Sequence, residues 1–466
     1  MANLTELLAR FASAPAFSEV ADTAMPIIRS GFIDTMATMI AGRSEPVVGI
    51  VRQHVAARQS NAREASVLLG AERASAQDAA LINGTAGHAL DYDDVALGGH
   101  TSTVLVPALL AEGEAIGASG ADLMRAYLVG YEVWAELISR DADRHHLKGW
   151  HPTAVFGTVG AAAAVASLRK LDLDTCRHAI ALSASMAGGL VANFGTMTKP
   201  YHAGQAACSA IESVRLAMRG LTAAPDAIEH RAGFLAAISP KGRVDLERPA
   251  DRLGKSLRIL EAGLNIKTYP ICYATHRTID AVIDLARQHD LRPEDVESVH
   301  ASVGVAQASM LRNHAPLTGL EAKFSLEFAV ASSLVARSVS LEQLTDEFVS
   351  RPDVREVMKR VEISTVDTSC PIEPLFAFSD RVVLRLKDGR TLDSGDIRFA
   401  RGSAKLPLRD EELKAKFLDC VAGAAYIDGA ALYGRLARLE SIRSVKDFAG
   451  KPTPSTAAAC RARARR

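Results

Sequence analysis

The chain has 466 residues, enough for about two or three domains. Apolar residues make up 48% of it and charged residues 23%, values typical of folded proteins, so a disordered, collagen-like or coiled-coil chain is excluded. The 54 basic and 54 acidic side chains balance, which leaves no net positive field to hold a nucleic acid backbone.

The cysteines and the apolar segments bear on cellular location. The six cysteines are scattered without a C-x-x-C pair, which argues against a disulfide framework or zinc module and favours a reducing cytoplasm. Glu6 and Arg10 interrupt the first apolar stretch, so we expect no signal peptide. The uncharged run from Ala179 to Thr198 is rich in small and polar residues, which predicts a buried helix and a loop instead of a transmembrane span.

The first part of the chain, up to about residue 265, has the apolar spacing of helices and no convincing strand. Gly, Pro and Asp residues separate the helices, which are predicted over Asp78–Leu90, Gly120–Ser139, Thr153–Leu168 and Ala203–Met218.

The pattern changes between residues 266 and 402. Strands are predicted over Val296–Val305 and Val361–Val366, and a helix over Glu321–Arg337. A hairpin is predicted to join Arg381–Leu386 to Arg390–Ile397, because the Asp-Gly pair between them supplies the positive φ that a tight turn needs.

Helical spacing returns near the end of the chain, over residues 410–421 and 428–440. The fold is therefore predicted to be mainly α, with a large all-helical domain formed by residues 1–265 and 403–450. A smaller α+β domain, residues 266–402, is inserted into it. Residues 451–466 end in RARARR and are predicted to form a disordered basic tail.

Familiar catalytic motifs are missing from the sequence. It has no phosphate-binding G-x-x-x-x-G-K-[ST], no strand followed by G-x-G-x-x-G, no H-E-x-x-H and no G-x-S-x-G. The candidate catalytic or binding residues are therefore those in the polar clusters that interrupt the apolar helices.

The first cluster is HALDYDD, with His100 a few residues later. Carboxylates this close together repel one another unless water, cations or a metal surround them. Three interpretations stay open at this point: a solvated loop after a helix, a divalent metal site, and a catalytic site that contains Asp91.

Two further clusters place a residue able to carry positive charge just before a proline. His151 precedes Pro152, and Lys199 precedes Pro200. A residue before proline favours an extended backbone, and proline suits the first position of a helix, so both side chains are expected beside free N–H groups at helix N-termini. Such a pair predicts a dicarboxylate receptor, although the two residues could also only cap or shield loops.

A fourth cluster, from Lys267 to His276, lies where the helical pattern gives way to the mixed one. A lone histidine is more often a structural hydrogen bonder. Its position at a domain junction nevertheless favours a role in binding a small molecule.

These motifs together resemble the MmgE/PrpD family, which includes 2-methylcitrate dehydratases, cis-aconitate decarboxylases and iminodisuccinate epimerases. The resemblance rests on HALDYDD, GWHPT, NFGTMTKP, YPICYATH and EAKFS, and it extends from about residue 5 to 445. It implies a helical domain made from both chain ends, an inserted α+β lid, a homodimer and no cofactor.

The resemblance also implies roles for individual residues. Lys199 and His276 would bind anions and transfer protons, His100 and His151 would act as acid and base, and Asp91 would orient a histidine or act as base. Thr198, His202, Tyr273 and Lys267 would contact the substrate. Val95 departs from the threonine that follows D-x-D-D in cis-aconitate decarboxylases.

The function predicted from these features is a cofactor-independent lyase or isomerase acting on a small di- or tricarboxylic acid. Dehydration ranks above epimerisation and decarboxylation, and closure of the lid would bring His276 into place. A catalytically silent, carboxylate-binding homologue and a metal-dependent hydrolase are the alternatives. We expect no nucleic acid partner and no membrane association.

Overall fold

The computed structural model describes residues 3–17, 21–373 and 375–446. These residues form a mainly helical protein, as predicted, that divides into two compact units. The first unit comprises the described residues of Met1–Ala192, Met197–Leu264 and Arg409–Arg466; the second comprises Asn193–Thr196 and the described residues of Asn265–Leu408. The predicted tail, 451–466, lies outside the described residues, and the role of the second unit as a lid stays a prediction.

The first unit is helical, and its elements are given in chain order. The helices are α1 Leu4–Ser13, α2 Ala21–Ala41, α3 Pro46–Ala57, α4 Ala76–Ala89, α5 Ser102–Ile116, α6 Gly120–Ile138, α7 His145–Lys148, α8 Pro152–Leu168, α9 Leu173–Met186, α10 Thr198–Ala217, α11 Phe234–Ile238 and α12 Arg258–Ala262. Its C-terminal helices, numbered after those of the second unit, are α19 Asp410–Val421 and α20 Gly429–Leu436.

Most helix predictions in this unit are confirmed. The helices predicted over 78–90, 120–139 and 153–168 are α4, α6 and α8. Nearly every residue of α8 is buried, which explains why this helix is apolar and small on all sides instead of on one face. The helix predicted to start at Ala203 begins earlier, at Thr198, a difference that changes the setting of Lys199.

The expectation of no strand in the first part of the chain is wrong in one place. A two-residue strand β1, Ala65–Ser66, pairs antiparallel with β2, Arg73–Ala74. Segments this short cannot show the alternating pattern by which strands are recognised. The carboxylate of Glu114 in α5 accepts the Ser66 backbone N–H at 2.8 Å and thereby ties the ladder to the helices.

Helices α4 and α10 approach each other closely through glycine. A Cβ added to Gly84 would lie 2.8 Å from the Cα of Gly204, and one added to Gly204 would lie 2.2 Å from the carbonyl oxygen of Leu81. Side chains at these positions would force the backbones apart. This contact matters because α4 leads into the aspartate cluster, which is formed by Asp91, Asp93 and Asp94, while α10 carries Lys199 in its first turn.

The second unit contains both helices and strands. Its elements are α13 His276–Gln288, β3 Val296–Gly304, α14 Val305–Met310, α15 Gly319–Ala322, α16 Leu326–Val335, α17 Asp346–Val349, α18 Pro352–Met358, β4 Val361–Val366, β5 Arg381–Leu386 and β6 Thr391–Asp393. The strands form one sheet in the order β4-β3-β5-β6, in which β3 and β4 are parallel and the other pairs antiparallel.

The hairpin between β5 and β6 is confirmed, with Gly389 at a φ of 88° in its turn. Its second strand is shorter than predicted, since it ends at Asp393 and only Ile397 pairs again, with Asp380. The single helix predicted over Glu321–Arg337 is wrong, because α15 ends at Ala322 and α16 starts at Leu326. The Ser325 hydroxyl caps α16 by accepting the Phe328 N–H at 3.2 Å, which favours a new helix start over continuation.

Among the described helices, none combines the length and the apolar character needed to cross a bilayer. The uncharged run that begins at Ala179 forms the end of α9 and then a loop containing a 3₁₀ turn, Val191–Asn193. All the cysteines of the described residues are free and buried: Cys176, Cys208, Cys272, Cys370 and Cys420.

Candidate active site

The aspartate cluster lies directly after α4 and is buried. Asp91, Asp93 and Asp94 expose 3%, 0% and 0% of their surface, so the interpretation as a solvated loop is wrong. Asp91 has a φ of 52°, in the left-handed region, and its N–H donates to the carbonyl of His88 at 3.1 Å. This conformation turns the chain sharply at the helix end, at a cost of about 1–2 kcal/mol for a residue other than glycine.

Lys199 supplies the cation that this cluster needs. Its Nζ lies 2.5 Å from Asp91 Oδ1, and both side chains are almost fully buried. The expectation that Lys199 has an extended backbone is wrong: it lies in the first turn of α10, after the N-cap residue Met197. Pro200 is tolerated there because N–H groups of a first helical turn have no partner within the helix.

A second carboxylate, Asp93, lies between two histidine rings. Its Oδ1 is 2.9 Å from His88 Nδ1, and its Oδ2 is 3.0 Å from His100 Nδ1. His100 Nε2 in turn lies 3.7 Å from Asp91 Oδ1. Asp93 therefore orients His100, the role that the sequence offered to Asp91, while Asp91 pairs with Lys199.

The pKa values of His88 and Asp93 are both lowered, for different reasons. Burial lowers the pKa of His88 to about 3, and the nearby charge of Lys199 adds to this effect. Burial alone would raise the pKa of Asp93, but its contacts with His88 and His100 outweigh burial and hold the pKa well below the usual value. Asp93 is thus an anion at neutral pH.

Asp94 has the opposite character from its neighbour. Burial, followed by the charge of Asp34, raises the pKa of Asp94 well above the usual value. The Ser102 N–H donates to Asp94 Oδ1 at 3.2 Å, and the Ser102 hydroxyl, which also contacts the Asp94 carboxyl group, lies 2.7 Å from the Tyr127 hydroxyl. Asp94 therefore keeps its proton to a higher pH than an exposed aspartate does, and it holds the start of α5.

His151 and His202 form a further pair. His151 is the N-cap of α8, with the extended backbone predicted for it, and its N–H donates to the Gly189 carbonyl at 3.0 Å. His151 Nδ1 and His202 Nδ1 are 3.1 Å apart, so one ring donates and the other accepts. Burial and then Lys199 lower both pKa values, that of His202 to about 4 and that of His151 well below its usual value, so both rings are neutral at pH 7.

The remaining predicted site residues differ in setting. Thr198 is exposed at the start of α10. Three others belong to the second unit: Lys267 and His276 are completely buried, and Tyr273 exposes 6% of its surface. The His276 ring lies 5.1 Å from the Tyr269 ring and 5.0 Å from the Tyr273 ring, and the Tyr273 hydroxyl donates to Glu373 at 3.2 Å.

His88 and Asp93 belong to the HALDYDD motif, but the sequence assigned them no role, and His146 was not singled out. The ring centres of His88 and His100 are 4.2 Å apart. Burial lowers the pKa of His146 to about 3, and His145, His100 and Lys199 add to the effect. The signal for His88 was present, because His88 and Asp91 are separated by almost one helical turn in HALDYDD.

The donor set can also be considered as a metal site. His88, Asp91, Asp93 and His100 each offer one ligand atom, and these atoms lie within 4.8 Å of one another. Nitrogen and carboxylate oxygen donors suit several divalent metals. The ammonium group of Lys199 on Asp91 places one positive charge of this chain beside these donors.

An anionic ligand would meet a lysine, the ionised Asp93 and neutral histidines here, and such groups suit acid–base catalysis in a buried site. The comparison with known families agrees with this class of protein. The model of the MmgE/PrpD N-terminal domain matches residues 6–247, and that of the MmgE/PrpD C-terminal domain matches residues 269–430.

The chain therefore belongs to the MmgE/PrpD family and is an enzyme, a lyase or an isomerase. Among curated proteins, it is similar to the cis-aconitate decarboxylase of Mus musculus, with 31% identity over 73% of this chain and 70% of the relative. The cis-aconitate decarboxylase of Homo sapiens is 29% identical over 83% of this chain and 81% of the relative. A cis-aconitate decarboxylase of Aspergillus terreus is 25% identical over 57% of this chain and 58% of its own length.

Proposed function

We propose that the protein is a cofactor-independent lyase that removes water from a small di- or tricarboxylic acid, as a 2-methylcitrate dehydratase does. The observation that carries this proposal is the ion pair of Lys199 and Asp91. It lies beside neutral histidines and beside His100, which Asp93 orients. A substrate carboxylate would take up the positive charge of Lys199, since a buried ammonium is a strong partner for an anion.

The chemistry begins with proton removal next to a carboxylate. In this proposal neutral His151 takes the proton from the substrate carbon, and the electron pair left behind is stabilised by Lys199. The electrons then form the carbon–carbon double bond while the bond to the β-hydroxyl breaks. His100, oriented by Asp93, gives its proton to the departing hydroxide, and water is the second product.

The neutral state of His151 supports proton abstraction as the first step. Burial and Lys199 lower its pKa well below the usual value, so the ring is free to accept a proton at pH 7. Bound substrate carboxylates add negative charge nearby, and negative charge favours a protonated imidazole. Substrate binding therefore strengthens the base that the reaction needs.

Decarboxylation is the second candidate, because the relatives named above are cis-aconitate decarboxylases. Val95 stands where that group has a threonine, which is the reason to rank decarboxylation below dehydration. Epimerisation is the third candidate, since proton removal and return on opposite faces uses the same base and acid.

We further propose a homodimer located in the cytoplasm. The exposed apolar side chains Leu147, Leu190 and Met197 of the first unit support burial against a second copy. Free, buried cysteines are usual in a reducing compartment.

The test is incubation with a panel of di- and tricarboxylates in heavy water, followed by NMR. Alkene formation with loss of the β-hydroxyl supports the dehydratase, carbon dioxide release supports the decarboxylase, and deuterium exchange with inversion alone supports the epimerase. Turnover that disappears after exhaustive chelation would contradict cofactor independence and favour a metal-dependent enzyme. Binding without turnover of any acid would contradict catalysis and favour a silent homologue.

A further inference from the structure

A lysine from the C-terminal helix α19 reaches the aspartate cluster. Lys416 Nζ donates to the carbonyl oxygen of Tyr92 at 2.8 Å and lies 3.9 Å from the centre of the Tyr92 ring. The same Nζ is 2.6 Å from Asp34 Oδ1 of helix α2. The side chains of Lys416 and Asp34 expose 5% and 0% of their surface, so the pair is buried.

A buried ion pair of this kind adds little to the free energy of unfolding. Taking two charges out of water costs several kcal/mol for each ion, and well-packed apolar residues of similar volume often stabilise a protein as much or more. Burial accordingly raises the pKa of Asp34 against the opposing influence of Lys416. The pair does, however, fix the position of one ammonium group, and that group binds the Tyr92 carbonyl.

The carbonyl of Tyr92 is well placed to control the cluster. It belongs to the peptide bond that joins Tyr92 to Asp93, next to Asp91 with its left-handed backbone. The Asp91 carboxylate contacts Lys199, and the Asp93 carboxylate contacts His88 and His100. Fixing this peptide therefore sets the directions of both carboxylates, whereas a rotation of it would misplace both.

We propose that Lys416, held by Asp34, is a positioning residue that fixes the loop of Asp91 to Asp94 for catalysis. This proposal rests on the proposed function, since it assigns Asp91 and Asp93 to the working site. Lys416 touches neither the substrate nor the reacting atoms and acts through the Tyr92 carbonyl. A merely structural role, joining α19 to α2, is the alternative.

The test compares two charge-free variants. In Lys416→Met with Asp34→Leu, no unpaired charge stays buried, so the fold is expected to be retained. The Asp91–Asp94 loop loses the Lys416 bond to the Tyr92 carbonyl and the backbone hydrogen bond from Asp94 to Asp34. The matched control is Arg140→Met with Glu136→Leu, which removes another buried pair of the first unit, one whose partners are Asp245 and Arg248. Lys416→Arg serves as the conservative variant, because a guanidinium group can bind both the carboxylate and the carbonyl.

Kinetics are measured on a substrate found with the acid panel. The charge-free variant is expected to lose about 10- to 100-fold in kcat, while its KM stays within about threefold of wild type. This pattern is expected when catalytic groups are misplaced in a site that still binds substrate. The control is expected to keep the wild-type kcat, and Lys416→Arg is expected to recover most of the loss. A kcat within about threefold of wild type in the charge-free variant would overturn the proposal.

A second measurement separates this proposal from the proposed function. Hydrogen exchange, followed by mass spectrometry on peptides covering residues 91–101, needs no substrate. The charge-free variant is expected to exchange faster in these peptides, with the rest of α4 and α5 as in wild type and the control unchanged. If the wild type converts none of the acids, the proposed function fails, while faster exchange in the variant still supports the fixing of the loop by Lys416. Unchanged exchange at 91–101 would overturn the positioning role of Lys416.

Discussion

Asp93 and Asp94 are neighbours whose pKa values are shifted in opposite directions. Contacts with His88 and His100 hold the pKa of Asp93 well below its usual value in spite of burial, whereas burial and Asp34 raise the pKa of Asp94 well above it. Environments that push the pKa values of adjacent acids apart are a frequent property of catalytic sites. The two residues also provide variants that are matched in chemistry and in chain position.

We predict that Asp93→Asn lowers kcat by about 10²- to 10⁴-fold, because the amide cannot hold His100 in the same tautomer. Asp94→Asn is the control, since the amide keeps the size of the carboxyl group and Asp94 contacts Ser102 instead of a histidine. Steady-state kinetics and the imidazole ¹⁵N shifts of His100 are the measurements. Equal activity of the two variants would contradict the orienting role of Asp93.

We predict that Lys199→Ala abolishes turnover or lowers kcat by at least about 10²-fold, because the variant removes the ammonium group that contacts Asp91. The protein stays folded by circular dichroism. Lys170→Ala, at an exposed lysine 3.5 Å from Asp122, is the control and should keep full activity. Wild-type kinetics in Lys199→Ala would rule out its assignment.

At the scale of elements, helix ends carry much of the chemistry and of the long-range connection. His151 caps α8, Lys199 lies in the first turn of α10, and Asp91 follows the end of α4. A carboxylate can also accept hydrogen bonds from the first N–H groups of a helix that is remote in the chain. Glu132 of α6 accepts the backbone N–H groups of Arg258 at 2.9 Å and Ile259 at 3.1 Å, at the start of α12.

We predict a pH-dependent stability that depends on Glu132. Burial raises its pKa to about 7, against an unfolded value of 4.5, so the folded state holds a proton that the unfolded state releases. The free energy of unfolding therefore falls as the pH rises from about 4.5 to about 7, by about 3 kcal/mol. In urea titrations at pH 5 and pH 8, Glu132→Gln should lose this slope. Glu247→Gln, at an exposed position, should keep it, and a slope left intact by Glu132→Gln would exclude Glu132 as its source.

Regular elements were predictable from the sequence because their signals are local. The strand over 361–366 and the helix over 410–421 have the predicted bounds, since periodicity alone defines them. The break between α15 and α16 was missed because its cause, a hydroxyl cap at Ser325, resembles any serine within a helix. The start of α10 was misplaced because the backbone rule for residues before proline is a preference that the first helical turn can override.

The candidate site was predictable only in part. Residues in unusual motifs, such as Asp91, His151 and Lys199, were found because charged groups stood out from apolar helices. The position of Asp93 between His88 and His100 depends on a left-handed turn at Asp91, a conformation that sequence gives little reason to expect outside glycine. Lys416 could not be linked to this loop, because its partners Tyr92 and Asp34 are remote in the chain.

At the scale of the whole molecule, we predict a homodimer in solution. The small side chains of the helices leave little aromatic bulk for the core, which makes burial between subunits an effective source of further stability. Light scattering should give about twice the chain mass of 49.6 kDa. A mass of one chain at micromolar concentration would contradict this prediction.

The discontinuous course of the first unit has a consequence for biosynthesis. Its α19 packs on α2, although the ribosome makes α19 only after the entire second unit. Residues 265–408 are nearly contiguous as a unit and can fold as soon as they emerge, whereas the first unit must wait with α2 exposed. Until Lys416 has been translated, the carbonyl of Tyr92 lacks its donor and Asp34 its counter-ion. The Asp91–Asp94 loop can therefore reach its final arrangement only after α19 has been synthesised, and a nascent chain that ends before α19 should depend on chaperones and lack activity.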